Sequence, residues 1–398
     1  MRTDCRVSYS EAVRWLIYIN SFAVSPSGRP PVGTRKIQGF GLPWLCNMGL
    51  VWICGNTLFD TLMLNFSLVC GNEYDFKGCT VRWEQDIDIS AQYLLDITPA
   101  PPQNRAELFT FPFRLVELCR DSNNLEIAGC NIWAGKQLSI ANPFIEPMTL
   151  LKKLKTNQTG NNGGSAFRAG DYVPRRIDEP QQMWRDFSAI LAGDDQRSPG
   201  VMAWIKLLNL DKTLVRLNTA SITFKNSTAV KNVFSDSLTI SANFLTELGS
   251  GWVEIVTNEV KRAEDLSGHV GTLAKAIAQS IGGSDENNLK GIASSAKELA
   301  YFRMDIPFRE WLASIEPGEY QNDEDRNPQI QIWHSRVRGI IDKLGKELIA
   351  KAGPDAMVGR EVKVANRGVV IFSAAKAYDD FQHKVEKTIP KKTTQGGI

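Results

Sequence analysis

The chain has 398 residues, of which 43% are hydrophobic and 23% charged, and its net charge is only +2. A chain of this length and composition buries a large core and divides into two or three domains. The small net charge excludes a protein coated uniformly with cations for nucleic-acid binding, so any basic binding surface must be local. The sequence has no apolar run of membrane-spanning length and no signal peptide, which predicts a cytoplasmic protein without a membrane partner.

Cysteine and histidine spacing argues against a metal site. The seven cysteines lie in the first third of the chain without a C-x-x-C pair, whereas His269, His334 and His383 lie far downstream. This pattern favours buried, inert thiols in a reducing compartment. Walker, nucleophile-elbow, zincin and Rossmann motifs are absent, so we expect no cofactor and no enzyme. A hydrolase whose Cys and His meet only in space stays open as an alternative.

The first predicted element is a helix over Ser8–Phe22. Ser8 and Glu11 have capping-box spacing, and apolar residues follow at helical spacing. A core helix so near the first residue also suggests that N-terminal sequence is missing. Next, Leu42–Ile53 is short, apolar and aromatic, which predicts one or two strands. Asn56 and Thr57 then cap a predicted helix over Leu58–Val69.

Residues 25–41, SPSGRPPVGTRKIQGFG, join the first helix to that strand segment and combine glycine, proline and positive charge. Glycines let a backbone turn sharply and approach a ligand, and neighbouring cations attract a polyanion. The candidate binding residues are Gly28, Arg29, Gly33, Arg35 and Lys36. A simple surface connection is the alternative interpretation. Pro30 and Pro31 stiffen the segment and remove two backbone donors.

A β-hairpin is predicted further along the chain. Leu108–Leu118 is rich in Phe and Val, residues 121–124 form a turn, and Leu125–Trp133 returns. Pro112 implies that the first strand is an edge strand or starts after this residue.

Thr156–Asp171 is polar and lacks periodicity, which predicts a mobile loop. The cations around it are Lys152, Lys153, Lys155, Arg168, Arg175 and Arg176. They either close over a polyanion or are simply solvated. Short helices are predicted over Met183–Leu191 and Val201–Leu208, with Pro199 breaking the chain between them.

Helical periodicity dominates from Leu248 onward. The first long helix tolerates Gly268 and Gly271 as weak points. The further periodic segments are Leu289–Phe302, Gln329–Ala350 and Val369–Lys387. Pro307 is expected to interrupt the second join, before a short turn at Trp311.

These elements predict an α+β fold with two domains, a mixed N-terminal domain over residues 1–245 and a four-helix bundle over residues 246–398. From Ser335 to Ile398, Lys and Arg outnumber Asp and Glu by thirteen to seven. This local positive charge suits either a sugar-phosphate backbone or a solvated surface.

Seven segments in order carry a resemblance that covers nearly the whole chain. They are EAVRWLIYINSFAVSPSGRPPVGTRK, GNTLFDTLMLNFSLV, LFTFPFRLVELCRD, QQMWRDFSAIL with SPGVMAWIKLL, YFRMDIPFREWLAS, IWHSRVRGIIDKLG and SAAKAYDDFQHKV. The chain resembles the CasA family, the large subunit of type I-E CRISPR surveillance complexes (Cascade). It departs from the family in beginning at the Ser8 helix and in having a less glycine-dense loop.

The resemblance implies a non-catalytic protein that recognises the protospacer-adjacent motif in double-stranded DNA. It also implies help with duplex opening and R-loop formation, and recruitment of a helicase-nuclease. The implied partners are the crRNA and the backbone, handle-binding and small helical subunits. The family's glycine loop is thought to face the minor groove, whose degenerate pattern permits tolerant reading of several motifs.

The family also uses a basic finger on a hairpin and a polar wedge that parts the strands. By resemblance, the finger corresponds to the hairpin over residues 121–136, where Asn123, Asn124 or Lys136 takes the place of the expected lysine. The wedge corresponds to residues 209–214, with Lys212 as its candidate. A purely structural assembly subunit, without motif reading of its own, is the alternative function.

Overall fold

A computed structural model describes residues 6–23, 42–67, 69–70, 73–74, 81–84, 101–135, 138–159, 166–175, 181–191, 196–210, 213–225, 229–319, 322–364 and 368–390. The fold is α+β, as predicted. The chain forms two compact units, Met1–Leu210 with Val215–Leu238 and Asp211–Leu214 with Thr239–Ile398. We call them the mixed unit and the helical unit.

The two units differ in the lengths of their helices. In the described ranges the α-helices are α1 (Tyr9–Phe22), α2 (Leu58–Asn65), α3 (Arg105–Thr110), α4 (Phe187–Leu191), α5 (Gly200–Leu208), α6 (Ser250–Ser280), α7 (Glu286–Ala313), α8 (Asp323–Ala350), α9 (Gly353–Val358) and α10 (Ala374–Thr388). No helix in these ranges is both long and apolar enough to cross a bilayer.

The strands form small antiparallel sheets. They are β1 (Leu50–Cys54), β2 (Val69–Cys70), β3 (Glu73–Tyr74), β4 (Arg114–Arg120), β5 (Ile127–Ala134), β6 (Leu151–Lys153), β7 (Gln158–Thr159), β8 (Ala166–Phe167), β9 (Tyr172–Pro174), β10 (Gln196–Arg197), β11 (Leu214–Lys225), β12 (Ala229–Ser241), β13 (Arg360–Val364) and β14 (Gly368–Phe372). Two sheets have three strands, in the orders β1-β11-β12 and β10-β6-β9. The other strands pair in twos, β2 with β3, β4 with β5, β7 with β8 and β13 with β14.

Side-chain caps set the starts of the first two helices, as predicted. The Ser8 hydroxyl accepts the Glu11 N–H at 3.3 Å, and Thr57 and Asp60 form a reciprocal capping box. A cap of this kind stabilises a helix by about 1 kcal/mol. The second helix ends four residues before the predicted Val69, and the side-chain amide of its last residue, Asn65, bonds both the N–H and the C=O of Ile53.

Two predicted strand segments are partly helical. Within Leu42–Ile53, residues 44–47 form a 3₁₀ helix and the strand covers only Leu50–Cys54. The segment from Leu108 also begins as a helix, since Asn104 caps α3 by accepting the Glu107 N–H at 2.8 Å. The strand β4 starts at Arg114, after Pro112, as the proline predicts.

The predicted loop Thr156–Asp171 contains short strands in its described part. Gln158 and Thr159 pair with Phe167 and Ala166. The expected helices around Pro199 are confirmed, since a 3₁₀ turn with α4 precedes the proline and α5 follows it.

Aromatic residues fill the core below the β4–β5 hairpin. Its buried members are Trp44, Met48, Leu108, Phe111, Phe113 and Leu138. The rings of Phe111 and Phe113 lie 4.9 Å apart, and Trp44 stacks on Phe113 at 6.4 Å. These residues tie α3 and the start of β4 to the segment that follows residue 41.

The long helices α6, α7, α8 and α10 form the C-terminal bundle of the helical unit. The prediction that Pro307 interrupts the chain after the second long helix is wrong, because α7 continues through it to Ala313. A proline inside a helix costs about 3 kcal/mol, whereas burial of each large apolar side chain contributes about 1.5–3 kcal/mol. Phe308 and Trp311 are both buried and pack on Trp333 of α8, which offsets that cost.

The sequence predicts that the last helix starts at Val369, which is five residues too early. Gly368–Phe372 is strand β14, paired with β13, and α10 begins only after Ser373, whose hydroxyl accepts the Lys376 N–H. A short continuous run of Val, Ile and Phe suits a strand as well as a helix, so this run alone could not decide between them.

Candidate nucleic-acid interface

Most of the predicted DNA-binding residues lie outside the described residues. They are Gly28, Arg29, Gly33, Arg35, Lys36, Lys136 and Lys212. Asn124 is described. The structure therefore bears on the candidate interface through Asn124 and through the described residues that flank the other positions.

The chain enters residues 24–41 from the end of α1, and a buried arginine holds this end. Arg114 begins β4, is only 1% exposed, and donates from Nη2 to the Ala23 carbonyl at 3.1 Å and from Nη1 to the Phe113 carbonyl at 3.0 Å. Its backbone N–H donates to Oδ1 of Asn20 at 2.9 Å. Burial lowers the pKa of Arg114 to about 10, so its guanidinium remains charged at neutral pH.

The chain leaves residues 24–41 at the same place. Leu42, Trp44 and Cys46 are buried directly after the segment. The Cys46 thiol lies 3.4 Å from the Ser21 carbonyl, to which it donates a hydrogen bond. We call Asn20, Ser21, Ala23, Cys46 and Arg114 the loop base, because they join the residues before position 24 to those after position 41.

Asn124 lies at the tip of the β4–β5 hairpin. Its backbone has a left-handed φ of 58°, which asparagine tolerates better than most residues. The Asn124 N–H donates to the Asp121 carbonyl at 3.1 Å, and its carbonyl accepts from the Tyr9 hydroxyl at 3.0 Å. The backbone is thus fixed on both sides while the residue remains exposed.

Asp121 makes the hairpin turn rigid. Its Oδ1 accepts the N–H groups of Leu125 and Glu126, at 2.9 and 3.2 Å. The hydrogen bond from Glu126, followed by those from other backbone groups and the charge of Arg6, lowers the pKa of Asp121. The turn therefore presents the exposed Asn123 and Asn124 on a preorganised backbone.

The two ends of this hairpin separate the finger candidates. Asn124 is at the tip, whereas Gly135, the neighbour of Lys136, donates to the Phe113 carbonyl at the base. The eight residues of β5 between them span roughly 25 Å. Asn124 and Lys136 therefore cannot replace each other at one position, and the base is the end next to Arg114.

The predicted wedge lies in a connection between a helix and a strand. The helix α5 ends at Leu208, Asn209 takes a left-handed φ of 48°, and β11 starts at Leu214. The Thr213 carbonyl accepts the Ala242 N–H at 2.8 Å. These contacts fix residues on both sides of Lys212 within the chain.

The other cations named in the sequence analysis differ in their solvent exposure. Lys152, Lys153, Lys155 and Arg168 are exposed, whereas Arg175 is bonded to the buried Asp186. In the helical unit, Arg338 is buried and bonds Glu386 and the Ile389 carbonyl. Arg338 therefore does not contribute to an exposed basic face.

Two of the three histidines, His334 and His269, contact side chains of neighbouring helices. His334 lies 3.0 Å from the buried Glu259 of α6 and from Arg262. His269 lies 3.1 Å from the Thr388 hydroxyl, and burial lowers its pKa. These contacts join helices of the bundle.

A buried carboxyl group, Glu146, has a strongly raised pKa. Burial raises it from 4.5 to about 7, although the N–H groups of Met148 and Thr149 partly counteract this effect. Glu146 organises the turn that bonds β1 through Val51 and the start of α5 through Val201. We assign it a structural role.

Sequence reasoning missed the loop base. Arg114 was included only as part of a predicted strand, and Cys46 only as one of seven inert thiols. The sequence contains one clue, since Arg114 directly follows the apolar FPF run in which an isolated charge is unusual.

Comparisons with known proteins identify the family. The family model of CRISPR-associated protein Cse1 matches residues 1–344, which is most of the chain. The chain belongs to the Cse1 family. The resemblance to CasA is thereby confirmed, since the two names are used together for a Thermus thermophilus structure, CasA (Cse1).

Solved structures share the fold of this Cse1-family chain. Thermobifida fusca Cse1 is 23% identical with a TM-score of 0.76, and the match covers 98% of this chain and 73% of that one. Thermus thermophilus CasA (Cse1) is 18% identical with a TM-score of 0.65, covering 97% and 72%. A chain of a CRISPR RNA-guided surveillance complex is 16% identical with a TM-score of 0.59, covering 96% and 69%. No curated protein matches the sequence significantly.

Proposed function

We propose that this protein is the large subunit of a type I-E CRISPR RNA-guided surveillance complex and that it recognises the protospacer-adjacent motif in double-stranded target DNA. Its membership of the Cse1 family over residues 1–344 carries the proposal. The protein acts in the cytoplasm without catalysis of its own, helps to open the duplex and form the R-loop, and recruits the helicase-nuclease. Its partners are the crRNA and the backbone, handle-binding and small helical subunits.

The loop base supports residues 24–41 as the motif reader. A functional loop needs a rigid support, and here Arg114 and Cys46 join the residues on both sides of the segment. Arg29, Arg35 and Lys36 supply charge for phosphates, and Gly28 and Gly33 permit close approach of the backbone. In RNA-guided systems, base pairing reads the target while protein reads only the short flanking motif.

We infer that the loop reads the minor groove with tolerance for several motifs. That groove distinguishes essentially A·T from G·C pairs, so a backbone without large side chains discriminates weakly there. Pro30 and Pro31 have no N–H groups, so the contacts come from Gly28, Gly33 and the flanking cations. Lys136, the residue after Gly135, and Asn124 contribute from the finger, and Lys212 contributes from the wedge.

The test measures how the assembled complex binds a target duplex with a flanking motif at several salt concentrations. Arg35→Ala should lower the slope of log affinity against log salt by about one, because one phosphate contact is lost. Gly33→Asp should reduce affinity to about one tenth, since it adds a side chain and a negative charge near the groove. Lys261→Ala, an exposed cation of α6, is the control and should change neither quantity.

Unchanged binding by both loop variants at low and high salt would show that residues 24–41 do not contact the DNA. Loss of binding in the Lys261→Ala control would show that the assay reports general charge instead of this loop.

A second candidate function is a structural assembly subunit. Exposed apolar residues on α1 and α2 favour it, because large exposed apolar patches mark protein interfaces. They are Val13, Trp15, Ile17 and Tyr18 on α1, Leu58, Phe59 and Leu62 on α2, and Phe66 directly after α2. If complexes with wild-type and Gly33→Asp subunits assemble equally and bind all flanking motifs equally, this second function is the correct one.

A further inference from the structure

We infer that Arg114 is a positioning residue for motif reading, which it serves by fixing where the chain enters residues 24–41. The inference rests on the proposed function of that segment. It assigns a role to a residue that is itself buried and therefore cannot contact DNA.

The chemistry of Arg114 argues for positioning. Transfer of a guanidinium from water into the interior costs several kcal/mol, so a buried arginine is poor evidence for stability alone. An apolar residue would fill the same space without that cost. The planar guanidinium instead donates in two directions at once, to Ala23 at the end of α1 and to Phe113 before β4.

The bond to Ala23 fixes the direction in which the chain departs. Ala23 is the C-cap of α1, and its φ and ψ of −66° and 128° turn the backbone from helical to extended. Carbonyl groups at the end of a helix have no partner within the helix. Without Arg114, the last turn of α1 would lose a contact that keeps this exit in one direction.

Asn20 and Cys46 also hold the last turn of α1. Asn20 bonds the Arg114 N–H through Oδ1 and the Leu16 carbonyl through Nδ2, and Cys46 bonds the Ser21 carbonyl. The last turn of α1 is therefore joined both to β4 and to the segment after residue 41. A site that reads base pairs must be held to about 0.5 Å, so this join affects discrimination directly.

Arg114 also lies at the base of the hairpin that leads to Lys136. It is paired with Ala134, and Gly135 donates to the Phe113 carbonyl at 3.2 Å. A Cβ at Gly135 would lie 2.5 Å from the Pro112 carbonyl oxygen, so the chains approach as closely as glycine allows. One arginine thus sets the origin of two candidate DNA-binding segments.

The experiment compares Arg114→Met with wild type in the assembled complex, using target duplexes that differ only in their flanking base pairs. The expected result is that the spread of affinities across flanking sequences falls about tenfold, to near uniformity. The salt slope stays unchanged, because a buried residue makes no phosphate contact. Arg35→Ala gives the opposite pattern, with a reduced slope.

Arg338→Met is the matched control. Arg338 is also buried and also donates to a helix C-cap carbonyl, that of Ile389 at the end of α10, but it lies in the helical unit. Both Met variants should lower the melting temperature, and only Arg114→Met should reduce the spread. An equal loss of spread in both variants overturns the inference, because it would reflect general destabilisation.

An unchanged spread in Arg114→Met also overturns the inference. If Arg35→Ala still lowers the salt slope, the proposed function stands without it; if Arg35→Ala has no effect, the proposed function fails as well. If complexes with the Arg114→Met subunit do not assemble, the same affinities are measured with Asn20→Ala, which removes one hydrogen bond of the loop base. A reduced spread in Asn20→Ala then supports the inference, and an unchanged spread overturns it.

Discussion

The mixed unit and the helical unit are stabilised in different ways. In the helical unit, long helices bury aromatic and aliphatic side chains, such as Phe308 against Trp333. In the mixed unit, short elements are joined by polar side chains that bond backbone groups, such as Asn65 with Ile53 and Arg114 with Ala23. The mixed unit therefore adds specific side-chain hydrogen bonds to its aromatic core, whereas the bundle depends mainly on packed area.

The substitution with the largest expected effect removes a packed side chain from the bundle. Phe308→Ala removes a fully buried ring from α7 and should lower the free energy of unfolding by about 3–5 kcal/mol. Phe302→Ala is the control on the same helix, where the ring is 72% exposed, and should change stability by about 0.5 kcal/mol at most. Urea unfolding followed by circular dichroism measures both; equal losses would contradict the packing account.

The next effect concerns the buried carboxyl group of Glu146 in the mixed unit. The pKa of Glu146 is raised to about 7, so the folded state prefers the protonated carboxyl. Its stabilising contribution is complete below about pH 4.5 and is lost as pH rises through 7. Glu146→Gln should remove this loss and raise stability at pH 8 by up to about 3 kcal/mol.

Thermal melts of Glu146→Gln and wild type at pH 5 and pH 8 measure this effect. Glu286→Gln in the helical unit, melted at pH 3 and pH 5, supplies a comparison of opposite sign, because the Lys275 hydrogen bond lowers the pKa of Glu286. That contribution is present above the ordinary pKa and is lost as pH falls. A pH dependence that persists in Glu146→Gln would refute the assignment.

A smaller effect tests side-chain bonding in the mixed unit. Asn65→Ala leaves both backbone groups of Ile53 without this partner and should cost about 2 kcal/mol. Asn131→Ala, an exposed asparagine that bonds the Glu117 side chain, should cost about 0.5 kcal/mol or less. Chemical denaturation compares them, and similar costs would mean that the backbone bonds contribute little.

The smallest effect sharpens the description of the bundle. A Cβ at Gly271 would lie 2.8 Å from the Ala293 carbonyl oxygen, whereas one at Gly268 meets no atom within 4 Å. Gly271→Ala should therefore destabilise by about 1–2 kcal/mol. Gly268→Ala should stabilise by about 0.5–1 kcal/mol through helix propensity. The same sign for both substitutions in thermal melts would contradict the close approach of α6 and α7.

This contrast also explains how much the sequence could predict. Apolar periodicity predicted the long helices, because their packing repeats every turn, and caps such as Ser8 and Thr57 predicted helix starts. Apolar periodicity could not show that Gly271 is a contact point or that α7 continues through Pro307, since both features depend on the neighbouring helix. For the same reason Arg114 was missed, because its partners lie far away in sequence, at Asn20 and Ala23.

The central claim is that residues 24–41, held by the loop base, read the flanking motif of target DNA. Site-specific photocrosslinking from position 33 in the assembled complex tests it most directly, with position 125 at the exposed hairpin tip as a comparison. The account predicts that position 33 crosslinks to the flanking base pairs and that this crosslink is lost in Arg114→Met. Crosslinks from position 33 to protein subunits alone, with none to the flanking DNA, would contradict it.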